Sequence, residues 1–305
     1  MSHVSIPQDV WDALEQVGPT WASNVSAHVR QMVELFSPLL EKADKSGVNV
    51  TRDLPYGHHP RQHLDVFAPK DAAGLPVVLF VHGGAFVEGD RNRSPEIYSN
   101  VLHYFARHGC VGVNMEYRLA PESIFPAGAE DVSRAVGWVT ENVTEYGGDP
   151  RAIFVIGHSA GAAHVASYVL DPRFEQPGEQ SVRGLVVISG RVRADAEPRN
   201  PNAEKVQAYY GSDPASYEAR SPVTYAGRAR VPVFIAFAEY ENPLIDVYCL
   251  ELAYRIAKAS GRAPEVVRIN RHNHTSIVAH LNTDDDELGS RIRNFIRRHA
   301  PRPGV

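Results

Sequence analysis

The chain has 305 residues, 43% hydrophobic and 22% charged, a balance that fits a globular core and excludes a disordered chain. The formal net charge is −5 and no basic run stands out, which argues against nucleic acid or an anionic membrane surface as partner. No stretch approaches the roughly 20 apolar residues of a membrane span, and the start lacks the basic and apolar regions of a signal peptide. Cys110 and Cys249 are too few for a disulfide framework and read as buried small hydrophobes, so a reducing, cytoplasmic compartment is the expectation.

Residues 8–44 read as helical. Val10, Trp11, Leu14 and Val17 share one face, and Val29, Met32, Val33, Leu35 and Phe36 mark a second segment ending before Pro38. Such cap helices, spanning about residues 1–45, form either a lid over a pocket or a strap on the core. Strand-like runs follow at 48–54 and 63–68, separated by the turn signal Pro55-Tyr56-Gly57. Val77–Val81 is continuously apolar, as expected of a strand buried on both faces. Strands and helices then alternate: helix 96–107, strand 111–117, helix 128–145, strand 152–156, helix 160–170 and strand 184–189. After an interruption come strand 231–237, helix 244–259, strand 264–269 and helix 285–299. This alternation predicts an α/β fold, a mostly parallel eight-stranded sheet with helices on both faces, in one domain over 1–305. The interruption at about 191–230 is polar, carries prolines and several tyrosines, and is too long for an ordinary loop, so it reads as a cap insertion.

The chemistry centres on Gly157-His158-Ser159-Ala160-Gly161, set between the strand and the helix. Strand, Gly-x-Ser-x-Gly, helix is the context of a nucleophile elbow. The flanking glycines are required because side chains there would meet the neighbouring strand and helix, and the helix start favours negative charge near Ser159. His82-Gly83-Gly84-Ala85-Phe86 follows the Val77–Val81 strand. The N–H groups of Gly83 and Gly84, with that of Ala160, would form an oxyanion hole, while His82 reads as a positioning residue.

A serine needs a base, and the base needs an acid. Of 14 histidines, His272 and His274 lie on the loop after the last strand. His274 is preferred because Ile277-Val278 follow as a helix anchor, with His272 the alternative. Joint metal ligation by the two is set aside, since no carboxylate or cysteine accompanies them at ligand spacing. The acid falls in Ala238-Glu239-Tyr240-Glu241-Asn242-Pro243, with Glu241 preferred over Glu239 and over Asp246 in the next helix.

These residues together resemble the α/β-hydrolases of the carboxylesterase kind, close to the hormone-sensitive-lipase-like esterases. The resemblance rests on His82-Gly83-Gly84, Tyr117-Arg118-Leu119-Ala120-Pro121-Glu122 with Phe125-Pro126-Ala127, Gly148-Asp149-Pro150, the elbow, Ser221-Pro222 and residues 238–241. Three features depart from it: His158 in place of Asp, Asn242 inserted before the proline, and Asn273-His274-Thr275-Ser276 where that family has His-Gly-Phe. The last is similar to arylformamidase-like and feruloyl-esterase-like branches.

The resemblance implies an α/β-hydrolase fold and a serine carboxylesterase acting on small esters through an acyl-enzyme, with no cofactor and no metal. The triad would be Ser159, Glu241 and His274, with Phe86, His158, Tyr209 and Tyr210 shaping the substrate pocket. The alternatives are an arylformamidase using the same triad and a small-molecule receptor that has lost catalysis. The expected partner is a small-molecule ester, with neither nucleic acid nor membrane, and because the resembling esterases often form dimers, a homodimer is one expectation.

Overall fold

The computed structural model describes residues 4–174 and 181–301, so parts of the single domain read over 1–305 lie outside the described residues. Helices α1 (Gln8–Val17) and α2 (Val25–Glu41) precede strands β1 (Val48–Pro55), β2 (His63–Pro69) and β3 (Leu75–Val81). Then follow α3 (Ser99–Arg107), β4 (Val111–Met115), α4 (Ala127–Asn142), β5 (Gly148–His158), α5 (Ala160–Leu170) and β6 (Val182–Ile188). Short helices α6 (Ala203–Tyr210) and α7 (Tyr217–Arg220) fill the interruption before β7 (Val233–Tyr240), α8 (Ile245–Ser260), β8 (Glu265–Asn273), α9 (Ser276–Ala279) and α10 (Glu287–His299).

The eight strands form one sheet in the order β1-β2-β4-β3-β5-β6-β7-β8. β2 runs antiparallel to β1 and β4, and the remaining pairs are parallel. The mostly parallel α/β sheet expected from the alternation is what the chain forms.

Period-2 geometry divides the strand residues between two apolar layers. In β3, Val78 and Phe80 join the layer with α1, α2, α3 and α10, whereas Val77, Leu79 and Val81 join the layer with α4, α5 and α8. Phe154 and Ile156 of β5 repeat the first pattern, and Ile153 and Val155 the second. A side chain of this size contributes about 1.5–3 kcal/mol when fully buried, so the central strands hold both layers to one register.

Two details differ from the sequence expectation. The two expected helical segments are separated by a 3-10 turn at Gly18–Ser23, but the second, α2, runs through Pro38 to Glu41 instead of ending before it. Proline forfeits one intrahelical hydrogen bond, but Pro38 sits near the helix end, where buried Leu39 and Leu40 hold the last turn on the core. The strand expected over 111–117 stops at Met115, because Tyr117 turns inward and stacks on His82 with ring centroids 4.4 Å apart.

The core also contains histidines that burial keeps neutral. Burial pushes His103 down to about 4, helped by Lys45, Arg52 and Arg107, and pushes His164 down to about 3, helped by His82. Both folded values lie below the ordinary histidine value, so the unfolded chain binds the extra protons. Their contribution to stability is full above about pH 6.5 and is lost as pH falls toward 4, by roughly 1 kcal/mol per pH unit for each ring. Urea midpoints are therefore expected to drop between pH 7 and pH 5, and His164→Gln is expected to flatten that slope. An equally steep slope in the variant would contradict the assignment.

Candidate active site

Five strand ends converge on one side of the sheet, the place where open α/β sheets bind ligands. β3 leads to His82, β5 to Ser159, β6 to Ser189, β7 to Glu241 and β8 to His274. Ser159 has φ 56° and ψ −117°, a conformation that L-residues rarely adopt and that the elbow imposes. A Cβ on Gly157 would lie 2.5 Å from Ala162 Cα, and one on Gly161 would lie 2.2 Å from the Val81 carbonyl oxygen. The tight turn thus tolerates glycine alone at both flanks, and it lifts Ser159, half-buried, to the cleft.

Ser159 Oγ–H donates to His274 Nε2 at 2.9 Å, and His274 Nδ1–H donates to Glu241 Oε2 at 2.5 Å. The His274 and Glu241 side chains are only 6% and 4% exposed, which strengthens their interaction by excluding water. The other Glu241 oxygen accepts from the Ala238 N–H at 2.8 Å and from the Ser189 hydroxyl. The structure therefore brings Ser159, His274 and Glu241 together and leaves the two alternatives elsewhere. Glu239 accepts from the Arg271 N–H, and His272 faces Ser276 and Asp285.

The glycine turn differs from its sequence reading at one donor. The Gly83 N–H donates to the Tyr98 hydroxyl at 3.3 Å, so Gly83 is occupied, not free to face an oxyanion. Among the described residues the N–H groups of Gly84 and Ala85 have no acceptor, and the turn carries φ values of 152° at Gly84 and 49° at Ala85. Gly84 and Ala85, with Ala160 at the start of α5, are the donors this geometry leaves available. Sequence reasoning missed Ala85 because alanine at positive φ carries no composition signal.

His82 is buried, with Nδ1 against the Gly83 carbonyl and Nε2 against Glu116, each at 2.7 Å. Burial alone would raise Glu116, but His82, then Arg61 and the Arg91 N–H, outweigh it and bring the carboxyl down to about 2. The pair anchors the turn, in keeping with a positioning role for His82.

His158 stands where its ring joins two parts of the site. Nε2–H donates to the His274 carbonyl at 2.8 Å, which leaves Nδ1 to accept from the Tyr98 hydroxyl at 3.3 Å. Burial, reinforced by His274, holds His158 well below its usual value, so the ring is neutral and this tautomer is the one its partners require. Gly83, Tyr98, His158 and the His274 backbone are thus linked in one directed chain of hydrogen bonds. Nothing near Tyr98 in the sequence marks it for this role.

Asn242, the extra residue before the proline, accepts from Trp21 Nε1–H at 2.8 Å through its side-chain oxygen. The insertion ties the acid's turn to the N-terminal segment, a contact spanning 221 residues of sequence. From that segment Val25, Val29 and Val33 of α2 also line the cleft, whose volume is about 610 Å³. Ile97 and Val278 add apolar wall, and Arg30, Arg93 and Lys205 bring charge to its lining.

Three residues expected to shape the pocket do not reach it. Phe86 and Tyr209 stack face to face at 4.7 Å, and Tyr210 packs edge-on against both. All three are about 1% exposed and absent from the cleft lining, forming a core beneath the insertion, whereas His158 does line the cleft.

The fold as a whole has counterparts among solved structures. A hyperthermophilic esterase from the archaeon Pyrobaculum calidifontis superposes with a TM-score of 0.72, covering 96% of this chain and 98% of that one at 24% identity. Esterase B from Lactobacillus rhamnosis superposes with a TM-score of 0.74, covering 93% and 96% at 16% identity. The chain has the α/β-hydrolase fold. An esterase of the bacterial hormone-sensitive lipase family shares this α/β-hydrolase architecture, with a TM-score of 0.69 at 21% identity, covering 91% of this chain and 97% of its own. The BD-FAE family model matches residues 64–173, from β2 through the elbow and α5. Esterase LipQ of Mycobacterium tuberculosis is 31% identical over 214 residues, which are 64% of this chain and 49% of LipQ. A probable isoprenylcysteine alpha-carbonyl methylesterase of Oryza sativa is 35% identical over 131 residues, 43% of this chain and 30% of its own. The chain thus spans about half the length, or less, of these curated relatives. The resemblance to hormone-sensitive-lipase-like carboxylesterases is borne out, and no described helix is long and apolar enough to cross a membrane.

Proposed function

We propose that the protein is a serine carboxylesterase that hydrolyses small carboxylic esters through an acyl-enzyme. The observation that carries this is the pair of hydrogen bonds joining Ser159 to His274 at 2.9 Å and His274 to Glu241 at 2.5 Å. Ser159 Oγ attacks the ester carbonyl while His274 Nε2 takes its proton. Glu241 holds the ring with its proton on Nδ1 and stabilises the imidazolium. Gly84, Ala85 and Ala160 donate to the oxyanion of the tetrahedral intermediate. His274 returns the proton to the departing alcohol, and water, deprotonated by the same ring, releases the acid and restores Ser159.

The esterase names of the relatives support this reaction over hydrolysis of an aryl formamide. The mixed lining of a cleft of about 610 Å³ supports substrates of modest size. Two buried free cysteines support action in the cytoplasm. Exposed Val247, Leu250 and Tyr254 on α8 support a homodimer.

The test is labelling with a fluorophosphonate, with mass spectrometry of the adduct, beside nitrophenyl esters from acetate to laurate and N-formylkynurenine. A single adduct on Ser159 and activity falling as the acyl chain lengthens are expected. Preference for the formamide would overturn the substrate class, and neither adduct nor turnover would overturn the catalytic reading.

A further inference from the structure

A second cluster of chemistry-bearing side chains lies behind the catalytic loop and takes no part in the proposed reaction. His272 at the end of β8, His280 just after α9 and Asp285 before α10 each offer a ligand atom, and these atoms lie within 4.8 Å of one another. The two histidines are 1% and 0% exposed, with ring centroids 4.2 Å apart. We propose that His272, His280 and Asp285 form a binding site for a divalent transition metal of the zinc type.

The hydrogen bonds around the rings carry the argument. His280 Nδ1–H donates to the Ser276 carbonyl at 2.9 Å, so its proton is on that nitrogen and Nε2 presents a lone pair. That Nε2 is buried and has no partner among the described residues. Leaving a buried acceptor unmade is costly and calls for an explanation. His272 Nδ1 lies 3.0 Å from the Ser276 hydroxyl, and its Nε2 lies 3.0 Å from Asp285 Oδ2. One residue, Ser276, therefore holds the outer nitrogen of both rings while the ring Nε2 atoms are left for the Asp285 side. Metal-binding histidines are oriented in this way, with the non-ligating N–H fixed by a neighbouring oxygen.

The chemistry suits the donor set. Two imidazoles and one carboxylate leave a fourth tetrahedral position for water, the arrangement of open zinc sites, whose ligand atoms stand roughly 3.3 Å apart. The Asp285 side chain is 20% exposed and gives the ion an entrance, while Trp11 meets His272 edge-on at 5.5 Å. Without metal, the proton on His272 Nε2 bridges to Asp285 and Nδ1 accepts from the Ser276 hydroxyl. With metal on Nε2, that proton moves to Nδ1 and is donated to Ser276 Oγ, whose own hydrogen turns to the Asn273 carbonyl at 3.5 Å. The protons balance, so a neutral ring binds the ion with no net proton release. The site would tie β8 to the segment before α10 directly behind His274. It does not rest on the esterase reading.

Chelator-treated full-length protein titrated with Zn(II), and separately with Co(II), tests the proposal. One equivalent of either ion is expected to bind, with a raised melting temperature for Zn(II) and the visible absorption of histidine-bound Co(II). His280→Gln and Asp285→Asn are each expected to weaken binding at least tenfold, Ser276→Ala by about 10–100-fold, and His274→Ala not at all. If His280→Gln does not fold, Asp285→Asn decides, since its side chain lies at the edge of the core. The proposal is overturned by no stoichiometric uptake, by full affinity in Asp285→Asn, or by affinity lost in His274→Ala.

Discussion

Ser159→Ala is expected to lower kcat on a nitrophenyl ester by at least about 10³-fold while the melting temperature stays within a few degrees of the parent. Alanine tolerates the φ of 56° no worse than serine, so the elbow keeps its shape and only the nucleophile is lost. Glu241→Gln sharpens the same test. One carboxylate oxygen accepts from the Ala238 N–H and the Ser189 hydroxyl, so the glutamine oxygen is drawn to that position. Its NH2 group then faces His274 Nδ1 and forces the proton onto Nε2, the nitrogen that must accept from Ser159. A wrong tautomer of this kind costs about 10⁴ in kcat with the geometry otherwise intact. Steady-state kinetics with circular dichroism on both variants checks the pair. Turnover near the parent value in Ser159→Ala would remove the mechanism, and a small effect of Glu241→Gln would mean that another group orients the ring.

What could be read in the sequence and what could not divide along a physical line. Strand β3, the elbow and the alternation of elements depend on residues adjacent in the chain, so Val77–Val81 and Gly157–Gly161 announce themselves. Ser159, Glu241 and His274 could be named because each sits just past a strand end, a position set by local pattern. Tyr98, Ser189 and Trp21 could not. Their roles exist only through partners 60, 52 and 221 residues away, and a lone tyrosine, serine or tryptophan has no local feature that points to such a partner. Asn242 shows an intermediate case: its irregular spacing was visible, but its purpose appeared only with Trp21 opposite it. Phe86, Tyr209 and Tyr210 illustrate a different limit. An aromatic residue near a site serves equally as wall or as core, and the stacking of Phe86 on Tyr209 decides for core.

Gly84→Ala is expected to reduce kcat by about 10²–10³-fold, the cost of losing an oxyanion donor, with KM changed much less. The glycine adopts a φ of 152°, and an added Cβ would lie 1.7 Å from the Glu88 carbonyl oxygen, so the turn has to move. The Val87 and Glu88 N–H groups both donate to the Gly84 carbonyl, which means a shift at Gly84 carries the whole turn with it. Ala85 is then displaced as well, and two of the three donors leave their places together. Gly161→Ala provides the contrast. Its Cβ would lie 2.2 Å from the Val81 carbonyl oxygen, between a helix and a central strand, so the expected outcome there is lost stability before lost chemistry. Measuring kcat, KM and the urea midpoint for both variants separates the two effects. Gly84→Ala should lose turnover far beyond any fall in its midpoint, because its turn borders the cleft while Phe86 in that turn ties it to the core. A Gly84→Ala enzyme with parental kcat would show that the oxyanion is held by other donors.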